Sequence, residues 1–101
     1  MTEKKRLVVK YSPSSLNSAT QIVAYLRRRF SEKEVTKFYQ FLSDFEQIIG
    51  IFPTLYPESL KRNVRRAVLS KELSVYYNEK KNKVNIVAIL DNRWEQSRRL
   101  Q

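Results

Sequence analysis

The chain has 101 residues, 42% hydrophobic and 30% charged, and its twenty Lys and Arg against ten Asp and Glu leave a net charge of +10. That length gives one domain, 1–101, with a single core. The absence of His and Cys excludes disulfides, thiolate chemistry and the histidine- and thiol-based metal sites, so no metal or cofactor is expected.

No run reaches the length of a bilayer-spanning helix and no apolar leader opens the sequence, so a soluble, unprocessed, cytoplasmic protein is expected. The charge points to an anionic macromolecular partner, nucleic acid or an acidic protein. A membrane surface would instead ask for a helix whose polar face is basic throughout, and the sequence offers none.

Lys5 to Tyr11 is a short β-prone run centred on Leu7, Val8 and Val9, flanked by Lys and Arg as an edge strand would be. Ser12-Pro13 then starts a helix, because proline at the first helical position lacks only an N–H that no helix bond would use. The helix runs to about Arg29, with Leu16, Ala19, Ile22, Val23, Leu26 and then Phe30 spaced as one apolar face. Arg27, Arg28 and Arg29 close its last turn, where the helix dipole favours positive charge. Ser31-Glu32-Lys33-Glu34 reads as a capping box for a second helix, in which serine and glutamate each satisfy a backbone donor of the other. That helix carries Val35, Phe38, Leu42, Phe45 and Ile49, widened by Phe41 and Ile48, and ends at Gly50. At this spacing the phenylalanine stripe is core.

A proline-punctuated loop, Phe52 to Glu58, leads to three strands between Val64 and Arg93. The first carries Arg65 and Arg66, preceded by Lys61 and Arg62. The second, Leu73 to Asn78, alternates Leu73, Val75 and Tyr77 against Ser74, Tyr76 and Asn78, so it is half-buried. Glu79 to Lys83 is a hairpin tip with a turn-prone Asn82. The third, Val84 to Leu90, is apolar at both parities after Asn85, which predicts a central strand buried on both faces. After Arg93 and Trp94 the polar tail forms a short helix or frays. The fold class is therefore α+β, strand-helix-helix-strand-strand-strand, with a helical hairpin packed on an antiparallel sheet. The other face of that sheet becomes a basic, partly aromatic surface.

Taken together, A-Y-L at Ala24 to Leu26, Phe52-Pro53, R-N-V-R-R at Arg62 to Arg66, L-S-V-Y-Y at Leu73 to Tyr77 and V-N-I-V-A-I-L-D-N-R at Val84 to Arg93 resemble the RelE/ParE superfamily of bacterial toxins from type II toxin-antitoxin (plasmid-stabilisation) modules. The resemblance spans nearly the whole chain and implies the same order of elements. RelE-like members are ribosome-dependent ribonucleases that cleave mRNA. If this chain is one, the resemblance implies Arg65, Arg66 and Arg93 for phosphate charge and Tyr76 or Tyr77 for proton transfer, because the tail lacks the family's terminal tyrosine or histidine and arginine is a poor base. ParE-like members act on DNA gyrase as binding inhibitors without an active site, and the sequence sits nearer that branch. Arg62, Arg65, Arg66, Arg93 and Trp94 then form a target- or antitoxin-contact surface. Trp94 has a second reading, as a cover over the open end of the core. Both branches imply an acidic antitoxin whose C-terminal segment wraps the toxin, a partner that the net charge suits.

Overall fold

The structure is a computed structural model that describes residues 5–61 and 63–99. Its elements are β1 (Val8–Tyr11), α1 (Pro13–Arg29), α2 (Glu32–Ile49), β2 (Arg65–Val68), β3 (Leu73–Lys80), β4 (Lys83–Asp91) and α3 (Asn92–Arg99). The four strands lie in the order β1-β4-β3-β2. Antiparallel pairing joins β2, β3 and β4, while β1 runs parallel to β4 at the far edge, so the sheet is mixed. The parallel step is possible because the αα-hairpin and the strands after it supply the long crossover it needs. The tail resolves as the short helix α3.

The two helices start as the sequence indicates. Ser12 caps α1 by accepting from the Ser15 N–H, with Pro13 next to it, and Ser31 caps α2 by accepting from the Glu34 N–H. The expected capping box is only half formed, however. The Glu34 carboxylate does not return to the cap; it binds Arg93 at 2.8 Å and Lys37 at 3.3 Å, and two cations outcompete one neutral N–H.

Gly50 ends α2 in an ordinary right-handed conformation. It is needed there for close approach: a Cβ would meet the Leu7 carbonyl oxygen and the Arg6 side chain at 3.0 Å, where the Leu7 N–H donates to the Gly50 carbonyl at 2.8 Å.

The core lies between the helices and one face of the sheet. Ile22, Val23 and Leu26 of α1 and Val35, Phe38, Leu42, Phe45 and Ile49 of α2 meet Ala67, Leu73, Val75, Tyr77, Val84, Ile86 and Ile89. Leu16 and Phe30, expected on the apolar face of α1, are 54% and 50% exposed, and Ile48 of α2 is 43% exposed. Leu16 and Phe30 sit at or just past the two ends of α1, where spacing alone does not place a partner.

The other correction concerns β4. It is interior, as expected, but not buried on both faces. Val84 and Ile86 face the helices, then the pairing with β3 slips between Tyr76 and Tyr77, and Ile89 and Asp91 face them instead. The unbroken apolar run records this bulge, which shifts the alternation by one residue, and also an apolar open face on which Ala88 is exposed. The β3–β4 turn places Lys81 and Asn82 at φ 54° and 58°, the two left-handed positions of a tight hairpin.

Candidate functional site

Because side chains alternate across a strand, β2 sends its two arginines to opposite faces. Arg65 pairs with Tyr77 and Arg66 with Tyr76. Arg65 donates through Nη1 to the Tyr56 carbonyl at 2.7 Å and so ties the proline loop to the strand. Arg66 is exposed on the helix-free face, with its guanidinium 5.9 Å from the centre of the Tyr76 ring and 3.4 Å from Ser74 Oγ.

Around Arg66 and Tyr76 lies a cleft of about 880 Å3. Val68, Val87 and Ala88 line it from the sheet, and the 57–61 segment, with Leu60 and Lys61, lines it from beside β2. That segment is held there by the Ser59 N–H donating to the Val64 carbonyl at 2.7 Å and the Arg66 N–H donating to the Pro57 carbonyl at 3.0 Å. Leu60 is fully exposed and Val68 is 57% exposed, an apolar surface with a cationic and aromatic rim.

The remaining residues singled out from sequence lie elsewhere. Tyr77 is fully buried against Phe45 and Tyr56, and its hydroxyl donates to the Pro53 carbonyl at 2.8 Å. Burial raises its pKa. A phenol so placed is core, which separates it from its neighbour Tyr76.

Arg93 is also away from the open face. It binds the fully buried Asp91 through Nη2 at 2.8 Å and Nε at 3.2 Å, and Glu34 of α2 through Nη1 at 2.8 Å. Asp91 also accepts from the Arg93 and Trp94 backbone N–H groups and so caps α3. The hydrogen bonds to Asp91 and Glu34 raise the Arg93 pKa against the effect of burial, and Arg93, ahead of Lys37, holds the Glu34 carboxyl below its ordinary range. The structure thus gives Arg93 two carboxylate partners, so it clasps α2, β4 and α3 together. Arg62 lies outside the described residues.

Trp94 is partly buried against the core and 5.6 Å from Tyr25. It also lines a second, smaller cleft of about 630 Å3 between the end of α1 and α3, with Tyr25, Arg28, Arg29 and Phe30. Sequence reading missed this grouping, because Phe30 counted as core and the arginines as helix-end charges. The one signal was the clustering of Arg27 to Arg29 beside Tyr25 and Phe30.

Among the described residues, no group of three or more acidic, His or Cys side chains could hold a metal ion, and no helix is long and apolar enough to cross a membrane.

No protein-family model matches the chain, and no curated protein matches it in sequence. Solved structures do. A chain of the chromosomal ParDE TA system from P. aeruginosa superposes with a TM-score of 0.73 at 13% identity, covering 85% of this chain and 96% of that one. A chain of the YoeB-YefM complex from Staphylococcus aureus superposes with a TM-score of 0.55 at 17% identity, covering 84% and 95%. At these identities the likeness is one of architecture: this chain has the RelE/ParE-type toxin fold over most of its length.

Proposed function

We propose that the chain is the toxin of a type II toxin-antitoxin module and that it works in the ParE manner, arresting growth by binding DNA gyrase and being neutralised by an acidic antitoxin. The observation that carries the inhibitor reading is the fate of the basic and aromatic residues. A ribonuclease would need a proton-transfer group set among several cations on one surface. Here Tyr77 is sealed in the core, Arg93 is held by two carboxylates and Arg65 is turned to the loop. What the open face presents is Arg66 and Tyr76 over Val68, Val87 and Ala88, a composition that suits a protein interface, where arginine and tyrosine at an apolar patch carry much of the binding energy. The closer superposition on the ParDE chain supports the same branch, and the net charge of +10 fits an acidic antitoxin.

A ribonuclease is the second reading, favoured by the Arg66–Tyr76 contact on that face. Inducing the chain alone in a bacterial host separates both from a basic nucleic-acid-binding module without toxicity, which would leave growth unaffected. Purified protein is then added to a gyrase supercoiling assay and to a ribosome programmed with mRNA. Inhibition of the first with an intact message in the second is expected; cleaved message with normal supercoiling would overturn the inhibitor reading.

A further inference from the structure

We propose that the cleft between the C-terminal end of α1 and α3 binds single-stranded nucleic acid, separately from the open face of the sheet and independently of the toxin reading. Three rings converge there: Tyr25 lies 5.9 Å from Phe30 and 5.6 Å from Trp94, centre to centre. Phe30 is half exposed, with the Arg93 guanidinium over its ring at 5.2 Å. Arg28 and Arg29 flank the rings, and neither has an ion-pair or hydrogen-bond partner among the described residues. Arg98 lies over the Trp94 ring at 5.6 Å and, among the described residues, its one ion pair is a partly exposed contact with Glu95 at 3.7 Å, which is weak enough to give way.

The chemistry of the lining selects the ligand. The sheet cleft is floored by Val68, Val87 and Ala88, which suit the apolar side chains of a protein. Among the described residues the α1–α3 cleft is lined by no aliphatic side chain and no carboxylate; its remaining polar groups are Gln96, Ser97 and Arg93, whose guanidinium is held by Asp91 and Glu34. Aromatic faces for stacking, free guanidinium groups for phosphates and an amide and a hydroxyl for base edges are what an unpaired strand requires. A duplex hides its base faces and cannot use such rings. An acidic peptide could pair with the arginines but would leave the rings idle.

Trp94 is the only tryptophan, so its fluorescence reports occupancy in the unmodified protein. The probes are an oligo-uridylate and an oligo-deoxythymidylate of about eight nucleotides, an abasic phosphodiester strand of the same length and poly-glutamate. The base-bearing strands are expected to quench Trp94 and to bind at least about fivefold more tightly than the abasic strand. Affinity should fall with salt, and Arg28→Ser with Arg29→Ser should flatten that log–log slope by roughly 1. Phe30→Leu, which keeps bulk and removes the ring, should weaken binding about fivefold or more.

The abasic comparison needs no variant, so it decides even if a substitution disturbs folding. Equal binding of abasic and base-bearing strands, or equal competition by poly-glutamate, would reduce the cleft to a polyanion attractor and overturn the proposal. So would unquenched Trp94 at low salt.

Discussion

Arg65 and Arg66 are adjacent in sequence and have opposite fates, and the contrast extends to the two faces of the sheet they serve. On the helix side the strand residues nearest the core are committed. Tyr77 packs and hydrogen-bonds, Arg65 holds the Tyr56 carbonyl, and Asp91 is surrounded by donors. Among the described residues no buried side-chain nitrogen or oxygen lacks a partner. On the other side Tyr76, Arg66, Val68 and Ala88 meet each other and solvent. A one-residue step along β2 or β3 therefore separates stability from availability for binding, and the same residue types serve each.

The largest way to break the committed side is Asp91→Ala. It strips Arg93 of its bidentate partner and removes the cap of α3, leaving a largely buried guanidinium with Glu34 alone. The expected loss is about 3 kcal/mol, the lower end for breaking a buried pair because one carboxylate remains. It would be read as a lower urea midpoint with an unchanged slope. A loss below about 1 kcal/mol, within the range of an exposed pair, would mean that the clasp holds nothing.

The next comparison uses the paired tyrosines. Tyr77→Phe removes the donor to the Pro53 carbonyl and should cost about 1 kcal/mol, whereas Tyr76→Phe on the open face should change stability by less than about 0.5 kcal/mol. Growth arrest measured in the same two variants sharpens the point. Tyr77→Phe should retain toxicity in proportion to the protein that stays folded. If it abolished arrest without moving the midpoint, its hydroxyl would have a role beyond packing.

Alkaline pH tests the helix side with a smaller effect. Burial first, then Glu46, raises the Tyr11 pKa, and burial raises that of Tyr77. A raised folded pKa means that the protonated phenols contribute stability which is full below the ordinary tyrosine value of about 10 and is lost as pH rises toward the folded values. The unfolding midpoint should therefore drop above pH about 10, and Tyr11→Phe should flatten that drop. A Tyr11→Phe profile identical to that of the unaltered protein would contradict the assignment.

Why some of this was legible in the sequence and some was not follows from the range of each interaction. Ser12-Pro13, Ser31 and the alternation of Leu73, Val75 and Tyr77 are local signals, and the helices and β3 follow from them. The parallel seating of β1, the bulge in β4 and the diversion of Glu34 to Arg93 all depend on residues far apart in the chain, 59 positions apart in the last case. Positions alone could not tell Arg65 from Arg66 before the register with Tyr77 and Tyr76 was known. Likewise the α1–α3 cleft depends on α3 lying beside Tyr25, which no spacing within either helix encodes.

The smallest expected effect on stability carries the sharpest functional test. Arg66 is exposed, and its contacts with Tyr76 at 5.9 Å and Ser74 at 3.4 Å are long, so Arg66→Ala should move the unfolding midpoint by no more than an ordinary surface substitution, within about 0.5 kcal/mol. Arg65→Ala, which frees the Tyr56 carbonyl, should cost more, about 1 kcal/mol or above. If the open face is where the target docks, the order reverses for growth arrest. Arg66→Ala should then lose toxicity at full stability, and Arg65→Ala should lose it only as far as it unfolds. Toxicity that followed stability in both variants would place the contact surface elsewhere on the molecule, because β2 would then act only as framework.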